Sequence, residues 1–311
     1  MIGSIRVGHY SDPKAVTGCT VFLAPEGTVG SCEVRGAAPA TLDTQHLRPT
    51  FLVDRLDAVL LSGGSAFGLA TTAGVTAFLK EAGVGLPTPG GPVPLVSAAC
   101  IFDLDLGEPL APDAEAAYQA CRNAEVDNTA QGCVGVGMGA TVGNALGRVR
   151  STKSGFGLYR FMAEGFRLEV AAVANAFGEV VGADGKLLAG ARGRDERYVS
   201  TEKAICSNSG REELFRANTT LVVVATNARL DREGCARLAL QGHNGIARAI
   251  RPSHTRYDGD TVFVMATGEV EASPDALEVI TAGGTAEAIR EGVMRASPAA
   301  GIPCACDILE G

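Results

Sequence analysis

Residues 218–226 read Asn218-Thr219-Thr220-Leu221-Val222-Val223-Val224-Ala225-Thr226, and the fold turns on them. The run at 221–226 suits a pleated sheet better than a helix, because branching at Cβ restricts the side chain in a helical turn. It predicts a strand. Downstream, 230–250 has helical spacing and is stopped by Pro252. Residues 261–267 (TVFVMAT) predict another buried strand, and 274–296 predict one or two helices.

Upstream, β-like runs lie at 20–23, 29–34 and 58–61. Pro25-Glu26-Gly27 separates the first two and reads as a hairpin turn. Gly63-Gly64-Ser65-Ala66-Phe67-Gly68 leads into an Ala- and Thr-rich segment ending at Lys80, with helical spacing. A Gly- and Pro-rich loop at 82–94 precedes a buried strand at 95–102 and a short helix at 113–123. Glycines crowd 131–157, and β-like runs return at 167–174 and 179–181, ahead of an Asp184-Gly185 turn. Residues 191–217 are polar and aperiodic, as in an exposed connection. Strands in blocks and helices in blocks favour a layered α+β fold over a doubly wound sheet. No fixed period recurs, so 1–311 is read as one domain.

Composition narrows the function. Of 311 residues, 46% are hydrophobic and 20% charged, which excludes disorder as the main state. The net charge of −8, with no basic block, argues against nucleic acid as a partner. No apolar run approaches the roughly 20 residues that span a bilayer. The N-terminal MIGSIRVGHYSD lacks the pattern of a signal peptide. Nine cysteines, an odd number without a C-x-x-C pair, suggest buried reduced thiols in a cytoplasmic protein. His9, His46, His243 and His254 are too scattered to suggest a metal, and no cofactor is indicated.

The glycine-rich 63–68 segment lacks a Walker lysine, and the G-x-G-x-G at 135–139 lacks the helix and acidic residue of a dinucleotide site. Both read as tight turns or close backbone approaches. Ser65 sits in GGSAFG, which is no hydrolase elbow. Asp258-Gly259-Asp260 is either a polar turn or a carboxylate pair, about 7 Å apart on one side of a strand. Thr219 is an ordinary strand threonine unless the chain is cut before it. A cut would give it an α-amine of pKa roughly 7.7–8, able to serve as base for its own hydroxyl.

Six segments, in order, resemble one family: LLSGGSAFGLATTAGV (60–75), LVSAACIFDLD (95–105), VGMGATVG (136–143), VAAVANAFGEVV (170–181), NTTLVVVATNARL (218–230) and HNGIARAIRPSHTRYDGDTVF (243–263). The family is that of the self-processing N-terminal-nucleophile hydrolases comprising L-aminopeptidase/D-esterases, β-aminopeptidases and nylon-oligomer endohydrolases. The resemblance implies a four-layer αββα sandwich and autocatalytic scission at Asn218–Thr219, giving chains 1–218 and 219–311. It implies Thr219 as nucleophile, Asp258 and Asp260 orienting its amine and hydroxyl, and Asn175 as oxyanion donor. The substrate would be a short peptide, a β-peptide or a linear amide, and the assembly a homo-oligomer such as a homotetramer. Where the nylon-oligomer branch carries a lysine after the TVG-like segment, this chain has Asn144. Lys153, nine residues on, is the other candidate for that position. An acyltransferase of the ornithine acetyltransferase type, or an unprocessed inactive relative, are the alternatives.

Overall fold

The computed structural model describes residues 5–163, 165–207 and 218–309. Alternation along the strand Thr219–Ala228 sets its layers. Leu221, Val223 and Ala225 point into one core, and Val222 and Val224 into another. Successive strand side chains face opposite ways, so a strand apolar at every position must be covered on both faces.

Five strands form its sheet, in the order Val29–Val34, Thr261–Val270, Thr219–Ala228, Phe166–Asn175, Phe156–Ala163. The central strand runs parallel to 261–270 and antiparallel to 166–175. A second sheet has the order Arg6–Asp12, Thr17–Leu23, Ala58–Ser62, Val96–Cys100, Thr41–Leu42. The two sheets meet face to face through Phe22, Val59 and Leu61 on one side and Leu221, Phe263 and Met265 on the other. Helices Arg232–Ala249 and Pro274–Met294 cover the outer face of the first sheet through Leu238, Ile246 and Ile289. Thr72–Glu81 and Ala114–Arg122 cover the second through Val75, Leu79 and Ala117. The layers are therefore α, β, β, α, as expected.

Local chemistry fixes the helix ends. Asp231 caps 232–249 by accepting from the Gly234 N–H at 2.8 Å, and Pro274 stands in the first turn of 274–294 behind the Ser273 cap. Residues 274–294 form one helix.

The hairpin expected around Pro25-Glu26-Gly27 is not formed. The turn exists, with the Thr28 N–H donating to the Pro25 carbonyl at 3.3 Å, but its flanking strands belong to different sheets. A turn reports chain reversal and does not say which partner takes the strand's hydrogen bonds. The connection at 191–217 contains a helix, Thr201–Cys206, capped by Ser200; residues 208–217 lie outside the described residues. Of the glycine-rich segments, 63–68 and 135–139 serve close approach. A Cβ on Gly63 or Gly139 would collide with the Asp103 carboxylate, and Gly64 adopts φ 82°.

Candidate active site

Thr219 opens its strand and is almost fully buried. Register places Asn175, the last residue of the adjacent strand, directly opposite it. On the other side a parallel bridge joins Asn218 to Asp258. The Thr219 Oγ1 donates to the carbonyl oxygen of Asn218 at 2.6 Å. The same oxygen accepts the Gly259 N–H at 2.9 Å, and the Asn218 N–H donates to the Tyr257 carbonyl at 3.0 Å. The Asn218–Thr219 peptide is thus held along one edge by the 257–259 turn, and its carbonyl is already polarised by a backbone N–H.

The aspartates lie in the lead-in to the strand Thr261–Val270 rather than inside its ladder. Asp260 Oδ1 accepts the Thr220 N–H at 2.6 Å, and its Oδ2 lies 2.7 Å from His254 Nδ1. Asp258 Oδ2 accepts from the Thr255 hydroxyl at 2.6 Å and the Thr255 N–H at 2.8 Å, while Oδ1 accepts the Phe177 N–H at 3.4 Å. Burial, and then the charge of Asp260, push the Asp258 carboxyl above the ordinary carboxylate range. Among the described residues, neither carboxylate hydrogen-bonds the Thr219 side chain.

The two candidates for the basic position separate. Asn144 Nδ2 donates to Asn218 Oδ1 at 3.1 Å, so Asn144 reaches the residue before Thr219. Lys153 is fully buried and gives its ammonium protons to the carbonyls of Ala140 and Ser154, 2.8 Å each, and Gly137, 3.2 Å. Three acceptors match the three donors of an ammonium. Lys153 therefore ties down the glycine-rich turn, and burial lowers its pKa to about 8.

Sequence reading missed Arg148, Thr141, His254 and the Gly259 N–H. None carried a local signal. His254, for instance, gains meaning only from Asp260 six residues on.

Asp103 is buried beneath this site. It accepts from the Thr17 hydroxyl and the Gly64 N–H, both at 2.7 Å, yet burial outweighs these bonds and raises its pKa from 3.8 to about 6. A folded-state value above the unfolded one means that the fold binds this proton more tightly. The associated stability is full below pH 4 and is lost as pH rises through 6. Asp103→Asn keeps the shape without the charge. Its stability relative to wild type should shift in its favour by about 2 kcal/mol between pH 4 and pH 7. Urea midpoints at the two pH values measure this, and a pH-independent difference would mean that Asp103 titrates normally.

Among the described residues no group of three or more His, Cys, Asp or Glu side chains is placed to hold a metal ion. The cysteines are free, five of them buried, and no described helix is long and apolar enough to cross a membrane.

The sequence matches the family model of Peptidase family S58 over residues 2–304. The chain belongs to Peptidase family S58. This S58 protein is 39% identical over 341 residues to an uncharacterized aminopeptidase of Mycobacterium tuberculosis, covering 100% of this chain and 97% of that one. It is 28% identical over 277 residues to a 6-aminohexanoate-oligomer endohydrolase of Paenarthrobacter ureafaciens, covering 86% of this chain and 74% of the other. Among solved structures it resembles a Burkholderia β-aminopeptidase, with TM-score 0.72, 18% identity and coverage of 99% and 91%. It also resembles the L-aminopeptidase D-Ala-esterase/amidase of Ochrobactrum anthropi, described as a variant of the Ntn-hydrolase fold, with TM-score 0.70, 14% identity and coverage of 95% and 85%. At such identities the structural likeness speaks to the fold, which is Ntn-hydrolase-like. Family membership makes this S58 protein a hydrolase of peptide amide bonds.

Proposed function

We propose that this S58 peptidase severs its own Asn218–Thr219 bond and then hydrolyses short peptides or linear amides with the freed Thr219. One observation carries the reading: the Thr219 hydroxyl rests on the carbonyl of the preceding residue at 2.6 Å, at the head of a strand and opposite Asn175. In the uncut chain Thr219 Oγ1 attacks the Asn218 carbonyl carbon. The C–N bond breaks, nitrogen takes up a proton, and an ester remains. Water then hydrolyses that ester to the Asn218 carboxylate and a free Thr219 hydroxyl. In the matured enzyme the α-amine of Thr219 accepts the hydroxyl proton as Oγ1 attacks a substrate amide. Asn175 donates to the oxyanion, and Asp260, which grips the Thr220 N–H, holds the strand head in place. Asp258 orients the amine.

The aminopeptidase relatives and the 6-aminohexanoate-oligomer endohydrolase support small amine-bearing acyl groups as substrates. Unpaired thiols suit a reducing compartment, which supports the cytoplasm; a homotetramer rests on family resemblance alone. Intact mass spectrometry tests the core of the proposal. Products of 218 and 93 residues, together with hydrolysis of an aminoacyl anilide, are expected. A single 31.8 kDa species after long incubation, inert toward the anilide, overturns it.

A further inference from the structure

Two asparagine amides beside Thr219 must each be turned the right way round. The oxygen and NH2 ends of such an amide are nearly equal in shape, so only their partners distinguish them. Arg148, in the short 3-10 turn Arg148–Arg150, supplies that distinction together with the Thr141 backbone, whose N–H donates to Asn175 Oδ1 and whose carbonyl accepts from Asn144 Nδ2, 3.2 Å each. Its Nη1 donates to Asn144 Oδ1 and to Asn175 Oδ1, 3.2 Å each, and also to the Thr141 hydroxyl. Nη2 donates to the Phe102 carbonyl at 3.1 Å, and Nε to both carboxylate oxygens of Asp105 at 3.0 and 3.1 Å. A guanidinium carries donors and no acceptor, so beside Nη1 only the oxygen end of either amide is tolerated. The NH2 of Asn144 is then directed at Asn218 Oδ1, at 3.1 Å, and at the Thr141 carbonyl, at 3.2 Å. The NH2 of Asn175 gives one hydrogen to the Phe102 carbonyl at 2.9 Å, which leaves the other for an oxyanion.

We propose that Arg148 is a positioning residue that locks the amide orientations of Asn144 and Asn175, and thereby sets both scission and turnover. The proposal rests on the reading of Thr219 as nucleophile. A cation hydrogen-bonded to an amide oxygen also strengthens donation from that amide's N–H. Asp105 balances much of the charge at the Nε edge, so orientation outweighs long-range field. Asn144, which carries no charge itself, receives this polarisation from Arg148 four residues along.

The test compares wild type, Arg148→Met and Arg148→Ala. In the matured Arg148→Met enzyme kcat on an aminoacyl anilide should fall about 100-fold, with KM within about threefold of wild type. Scission should slow in parallel. Methylguanidinium should restore part of the activity to Arg148→Met and none to Thr219→Ala. The side-chain amide signals of Asn144 and Asn175, followed by 15N NMR, should be sharp and slowly exchanging in wild type and lose that protection in the variant. Unchanged kcat, or unchanged amide signals, in folded Arg148→Met overturns the proposal. If Arg148→Met does not fold, the same signals are read in Arg148→Ala, whose side chain carries no donor for either amide; unchanged protection there overturns it equally. If wild type neither cuts itself nor hydrolyses the anilide, the Thr219 reading fails, and the amide signals still decide the role of Arg148.

Discussion

Thr219→Ala is expected to remain a single chain of 31.8 kDa and to lose activity by about 10⁴-fold or more. The variant lacks the hydroxyl that rests on the Asn218 carbonyl, and so lacks the atom that would form both the processing ester and the acyl-enzyme. Little else should change. The Gly259 N–H still engages that carbonyl, and the strand keeps its partners on both sides. The stability cost should be that of one hydrogen bond, about 1 kcal/mol. Intact mass, anilide hydrolysis and thermal unfolding on one preparation separate lost chemistry from lost fold. Thr219→Ser retains a primary hydroxyl and should regain scission. An alanine variant that is cut and active would remove Thr219 from the mechanism.

Asn175→Ala should lower kcat about 10²- to 10³-fold, with little change in KM, because an oxyanion donor acts mainly in the transition state. The residue is fully buried opposite Thr219, and its Oδ1 accepts from the Thr141 N–H at 3.2 Å. Truncation therefore also leaves backbone groups of Thr141 and Phe102 without that partner, at about 1–3 kcal/mol. Steady-state kinetics below the melting transition distinguish the two effects. Asn175→Asp is the sharper variant. It keeps the acceptor facing Arg148 but replaces the NH2 with an anionic oxygen, so its kcat should be no higher than that of Asn175→Ala. A fall in kcat/KM arising wholly from KM would assign Asn175 to ground-state binding instead.

The legible parts of this protein were those governed by local rules. The strand at 221–226, the helix stopped near Pro252 and the helix behind Pro274 follow from branching, capping and period, and they stand where expected. The strands Arg6–Asp12 and Phe156–Ala163 escaped, since they mix glycine and charge with apolar residues and one face of each is incompletely buried. Resemblance alone singled out Asn175, whereas Asp258 and Asp260 stood out as a carboxylate pair by strand period and took their roles from the resemblance. The supporting network was illegible because it is made by distant partners. Thr17 meets Asp103 across 86 positions, and Arg148 reaches Asp105 across 43. An arginine in a glycine-rich run gives no hint of such neighbours.

Sheet order has a consequence for the severed protein. The two long strands of the 219–311 product occupy interior places in their sheet, bordered by 29–34 on one side and 166–175 on the other. A nick at 218 would therefore create two polypeptides with no way to part short of melting the sheet along two edges. Recovery from denaturant would then be a second-order reunion, slowed by dilution, whereas the uncut Thr219→Ala chain would refold at a rate independent of its concentration.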